Sequence, residues 1–195
     1  YPSGLVAVGS TLYFQAETTA SGKELWKSDG TANGTVQIKN IRAGAGNSTP
    51  EKITALGSTI YFSANNGVNG KELWKSDGTA DGTTLVKDIK AGAGGSEPEI
   101  LGSFGDNIFL AAETNATGLE LWKSNGTEAG TTLVKDINNG GNDSYPRDFV
   151  TIGSHLYFSA DDGNGREIWK SDGTTLGTTK VTNINGGGDA NIREV

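Results

Sequence analysis

Cysteine and methionine are absent from this 195-residue chain, and histidine occurs once. Without cysteine there is no disulfide framework and no thiolate nucleophile or metal ligand, and thiol usage says nothing of the compartment. Long apolar runs are also lacking: none approaches the ~20 residues that span a bilayer. Basic charge is scarce. Sixteen Lys and Arg stand against 23 Asp and Glu, for a net charge of −7 and a pI near 4.7. Such a surface repels phosphate backbones and anionic lipid, so neither nucleic acid nor membrane insertion is expected. No signal peptide is visible, and a chain that starts at Tyr1 without Met reads as a processed product or an excised piece.

What the chain has is glycine and repetition. Thirty glycines, with hydrophobic residues still at 34%, fit many tight turns rather than disorder. The stretch ELWKSDGT occurs at Glu24–Thr31 and again at Glu72–Thr79, with ELWKSNGT at Glu120–Thr127 and EIWKSDGT at Glu167–Thr174. The anchoring tryptophans, Trp26, Trp74, Trp122 and Trp169, are separated by 48, 48 and 47 residues. A fixed period of this size means one supersecondary unit copied along the chain.

The second copy shows what the unit is. Glu51–Leu56, Thr59–Ala64, Lys71–Ser76 and Thr83–Ile89 are short, rich in β-branched or aromatic residues, and bounded by Gly-Ser, Asn/Gly and Asp-Gly turns. None carries a 3.6-residue apolar period. Each copy is therefore expected to form four antiparallel strands, a to d. Ile60 and Phe62 face one side and Tyr61 and Ser63 the other, and Leu73 and Trp74 also point apart. Apolar groups on both faces call for cover on both faces. The predicted fold class is all-β, a β-propeller of four-stranded antiparallel blades, as a four-bladed ring or part of a larger propeller. A linear stack of sheets is the competing architecture. Blades are expected at about 1–43, 44–91, 92–139 and 140–186 of one repeat domain. Residues 187–195 then begin a further repeat or act as a linker, with Ile192 and Val195 repeating the opening of strand a. That tail is expected to be extended and paired, within its own ring or with another copy.

The full pattern of Pro50, Ile53, Gly57-Ser58, Tyr61-Phe62-x-Ala64, then Gly70-x-Glu72-Leu73-Trp74-Lys75-Ser76-Asp77-Gly78-Thr79, then Gly82-Thr83-x-Leu85-Val86-Lys87-Asp88-Ile89, resembles the bacterial repeat proteins named for their ELW-x-x-DGT motif. The match covers essentially the whole chain. Departures are small: Asn125 for Asp, Ile168 for Leu and Phe109 for Tyr. The resemblance implies a secreted or cell-surface protein, often part of a large multidomain chain. It supplies no catalytic residue.

Residues that could carry chemistry are few. His155 lies in an a–b turn, without a serine in a G-x-S-x-G elbow to activate. The glycine runs at 44–46 and 92–95 are followed by no helix and read as turns rather than phosphate cradles. The four tryptophans read as packing between blades, with sugar-stacking platforms the competing use. The repeated Glu24, Glu72, Glu120 and Glu167 and Lys27, Lys75, Lys123 and Lys170 suggest a charged pair bracketing each Trp. The b–c loops vary most, and loops on a rigid scaffold are where binding lives. Asn65, Asn66, Glu113, Asp161 and Asp162 are the candidate binding residues. Asp161 and Asp162 also offer the hard oxygens that calcium takes, without the EF-hand spacing; otherwise no cofactor is expected. The expected function is a non-catalytic extracellular scaffold or adhesion module that presents loops to a glycan or protein partner. A self-assembling array or filament joined through open strand edges is the alternative. A carboxylate-based glycosidase or lyase is the only enzyme this residue set would suit.

Overall fold

The computed structural model describes residues 1–181, 183 and 184. The tail reading at 191–195 therefore lies outside the described residues. Sixteen strands and no helix are present among them: β1 (Ser3–Val8), β2 (Thr11–Thr18), β3 (Gly22–Ser28), β4 (Val36–Lys39), β5 (Glu51–Leu56), β6 (Thr59–Asn65), β7 (Lys71–Ser76), β8 (Thr84–Lys87), β9 (Glu99–Phe104), β10 (Asn107–Thr114), β11 (Gly118–Ser124), β12 (Thr132–Lys135), β13 (Arg147–Ile152), β14 (His155–Asp161), β15 (Arg166–Ser171) and β16 (Thr179–Lys180). They form four sheets of four strands, each in chain order, and their neighbours run antiparallel. Each sheet is one blade of the β-propeller class. The chain divides into two compact units, at residues 1–100 and from 101 onward, with the boundary inside β9.

Strand a begins with a bulge in three blades, where the register shifts between Ser3 and Val6, Glu51 and Thr54, and Arg147 and Val150. Gly4, Lys52 and Asp148 take positive φ there, which bends the strand and adds twist. Strand d is shorter than the expected Thr83–Ile89. In β7–β8, Trp74 faces Leu85 and Leu73 faces Lys87, so Val86 is an extra residue, and the ladder stops at Lys87. The Ile89 N–H has a partner other than the neighbouring strand, described below.

In the first unit, Tyr13, Leu25, Ile38 and Ile41 of blade 1 pack against Ile53, Ile60, Phe62, Ala64 and Trp74 of blade 2. In the second unit, Phe109, Leu121, Val134 and Ile137 of blade 3 meet Leu156, Phe158, Ala160 and Trp169 of blade 4. The same outgoing face thus meets the same incoming face twice. Phe149 stacks on Phe158 at 5.1 Å within the second of these cores. Burying this apolar area is the main force joining one blade to the next.

Candidate functional site

The two ends of each blade are built differently. At one end lie the c–d turns that carry the repeated DGT. Asp77 Oδ1 accepts from the Thr79 backbone N–H and hydroxyl, and the Thr79 hydroxyl accepts from Gly82 N–H. Ser76 and Thr83 share a hydroxyl hydrogen bond of 2.7 Å. Every copy repeats this network, with Asn125 replacing the aspartate in blade 3. Gly78 has φ +88 and stands against the Tyr13 ring of the preceding blade, and Gly173 stands in the same way against Phe109. Lys27 Nζ donates to Gly78 O and Lys123 Nζ to Gly173 O. Lys135 reaches from blade 3 to Thr178 O and lies 5.9 Å from the Trp169 ring centre.

The glutamates do not pair with these lysines, contrary to the sequence expectation. Glu24, Glu72 and Glu120 are fully buried and accept from the backbone that leaves strand d. Glu72 takes Ile89 N–H at 3.1 Å, Lys90 N–H at 3.2 Å and the Ser96 hydroxyl at 2.6 Å. Glu24 and Glu120 do the same with Ile41, Arg42 and Ser48, and with Ile137, Asn138 and Ser144. This explains the short strand d: its last N–H turns to the carboxylate. Desolvation raises all three carboxyls despite these bonds, Glu120 to about 7. Sequence reading missed the serine partners. The signal was present, since a serine stands two residues before each of Pro50, Pro98 and Pro146.

At the opposite end, the d–a connectors lie beside the b–c loops. Asn65 N–H donates to Ser48 O and Asp161 N–H to Ser144 O. The residues between those serines and the prolines, Thr49, Glu97 and Tyr145, hold φ of 46–48°, a conformation that costs energy and is kept only by its surroundings.

The residues chosen from sequence, Glu113 among them, sit at the roots of the loops, half-buried, and Asn65, Asn66, Asp161 and Asp162 fold their side chains onto the local backbone. Asn65 Oδ1 accepts from Gly67 N–H, and Asn66 Oδ1 from Val68 and Asn69 N–H. Asp161 Oδ1 accepts from Gly163 and Gly165 N–H. Asp162 takes the Asn164 N–H and pairs with Lys180. Asn and Asp at turn starts hydrogen-bond forward in this way. The loop tips, including Val68 and Asn164, are what solvent meets. Asn65 and Asn66 belong to the first unit, and Glu113, Asp161 and Asp162 to the second. Among the described residues no group of three or more His, Cys, Asp or Glu is gathered as a metal site would need.

One cluster at this end was not foreseen. Tyr145 is 53% exposed beside the loop of blade 4. Hydrogen bonding toward the Asp143 carboxylate and its charge, then desolvation, with a smaller push from Glu113, raise the phenol above its ordinary range. Asp143 is fixed in turn by the Leu119 N–H at 2.8 Å. Thr49 and Glu97 hold the equivalent place before Pro50 and Pro98, and Tyr1 the equivalent place before Pro2.

Trp74, Trp122 and Trp169 are buried and leave no face for a sugar. A cavity of about 330 Å³ lies at the c–d end of blade 1, lined by Thr11, Lys27, Asp29 and Asn33 among others. Its charged groups are already engaged by Gly78 and Thr31.

No protein-family model matches this chain, and no curated protein matches it significantly. Solved structures do. The computationally designed Ika8 protein aligns at 14% identity and a TM-score of 0.50, over 93% of this chain and 48% of that one. A prolyl endopeptidase aligns at 12% and 0.54, over 88% and 24%. A puromycin hydrolase aligns at 12% and 0.50, over 93% and 39%. At such identities the likeness shows the fold alone. This chain spans between about a quarter and a half of those chains.

Proposed function

We propose that the chain is a non-catalytic scaffold that binds a glycan outside the cell through its b–c loop end. The observation that carries this reading is Tyr145. An exposed aromatic face suits the apolar side of a pyranose, and the nearby Asp143 and Glu113 carboxylates suit its hydroxyls. The repeated acids point the other way from catalysis: Glu24, Glu72 and Glu120 are sealed under the connectors, and the DGT aspartates are tied into their own turns. The resemblance to ELW-x-x-DGT proteins supports the extracellular placement.

A glycan array probed with the intact protein, with and without calcium, tests the proposal. Retained glycans are expected to be lost with Tyr145→Ala at an unchanged melting temperature. Binding that survives Tyr145→Ala, or no binding to any glycan, would remove the reading.

A further inference from the structure

An asparagine loses its amide when the backbone nitrogen of the next residue attacks its Cγ, and glycine, with no Cβ, gives that nitrogen the freest approach. Six Asn-Gly pairs lie among the described residues, beginning at Asn33, Asn66, Asn69, Asn125, Asn139 and Asn164. The attack needs an amide free to turn and a base for the glycine N–H.

The fold withholds one or both from most pairs. Asn66 Oδ1 accepts from Val68 and Asn69 N–H, and Asn69 Nδ2 donates to Asp88. Asn125 Oδ1 accepts twice from Thr127, and the Gly126 N–H is buried on the Ser124 hydroxyl. The Asn33 amide is exposed, but the Gly34 N–H donates to the Thr31 hydroxyl, a poor base. The Gly165 N–H does meet a carboxylate, Asp161 at 3.1 Å, yet the Asn164 amide and backbone N–H are both turned onto Asp162.

Asn139 meets both conditions. Its side chain is exposed and makes no hydrogen bond among the described residues. The Gly140 N–H donates to Asp136 Oδ2 at 3.1 Å, within reach for proton transfer. A Cβ on Gly140 would meet nothing within 4 Å, so the turn has room to change shape. Ala43 and Ala91 hold the place of Asn139 in blades 1 and 2, before Gly44 and Gly92, so the turn itself does not require an asparagine.

We infer that Asn139 is a self-modification site, with Asp136 as the base that draws the proton from the Gly140 nitrogen. That nitrogen bonds to Asn139 Cγ, and the leaving amide nitrogen takes the proton back from Asp136 and departs as ammonia. Water then opens the succinimide ring at either carbonyl, giving aspartate or isoaspartate. One water enters and one ammonia leaves, with no oxidant or other reactant. Either product adds a negative charge to the connector that carries Asp143 and Tyr145, and isoaspartate lengthens its backbone by a carbon. The inference stands whether or not that connector binds a glycan.

The intact protein, aged at neutral pH and then digested with trypsin, is expected to convert first in the peptide 136–147. Fragmentation should place the amide-to-acid mass gain at Asn139. Conversion there is expected to be at least about tenfold faster than at Asn66 or Asn125, whose amides must first give up two hydrogen bonds each. Aspartate and isoaspartate forms should both appear. Asp136→Asn keeps an acceptor for Gly140 and installs the residue type that Asn40 and Asn183 supply in blades 1 and 4, so it should keep the fold by circular dichroism. It is expected to slow conversion at Asn139 several-fold and to leave Asn33 and Asn164 at their wild-type rates. Faster conversion at Asn33 or Asn164 than at Asn139 in the wild-type protein would overturn the inference. So would an Asp136→Asn protein that converts as before, or aspartate as the sole product, which marks direct hydrolysis by water.

Discussion

Asp77 shows how completely a repeated residue can be explained by its own turn. Its carboxylate holds Thr79, Thr79 holds Gly82, and a Cβ on Gly82 would lie 2.0 Å from Asp77 Oδ1. The glycine is required by space rather than by φ. Gly82→Ala must therefore expel the carboxylate and open the network, and is expected to destabilise by more than ~1 kcal/mol. Thermal melting checks it; an unchanged melting temperature would mean the turn has slack that the geometry does not show. The solvated side of the turn leaves Asp29, Asp77 and Asp172 with lowered pKa values, chiefly through the threonine hydroxyls.

At the scale of strands, the incoming face of each blade is organised by its tryptophan. Trp74→Ala removes a buried indole from between blades 1 and 2 and is expected to cost ~3–5 kcal/mol. Trp26→Ala removes a half-buried one and should cost clearly less. Equal losses in melting temperature would mean that the two faces are equally packed. Strands a, b and c were legible in the sequence almost to the residue, because alternation and Gly-rich turns are local signals. Strand d was read too long because its end depends on Glu72, a side chain in another strand. The candidate site was less legible. Asn65, Asn66, Asp161 and Asp162 were chosen for their chemistry, and that same chemistry folds them onto the loop backbone. Tyr145 went unmarked because Glu113, from another strand, comes near it only in the folded blade.

Across the molecule the buried glutamates and the turn aspartates give stability opposite pH slopes. Glu24, Glu72 and Glu120 bind protons more tightly folded than unfolded. Their contribution is full below the ordinary value of 4.5 and is lost as pH rises, through about 7 for Glu120. The aspartates are lowered from 3.8, so their contribution is present above that value and is lost as pH falls. Melting temperature is thus expected to peak at roughly pH 4–5. Calorimetry from pH 3 to 8 checks this; a curve that climbs steadily to pH 8 would show that other groups dominate.

Ser48 and Ser144 face two ways, backward to Glu24 and Glu120 and forward to Asn65 and Asp161. A chain leaving the ribosome cannot finish blade 1 when Lys39 emerges. The buried carboxylate waits for a hydroxyl nine residues later, in a segment that also starts the next sheet. Maturation is therefore handed along in overlapping instalments, each blade sealed by its successor. The unit that gene duplication must copy is accordingly out of phase with the visible sheet. A cut made neatly between blades would deliver one with its acid uncapped.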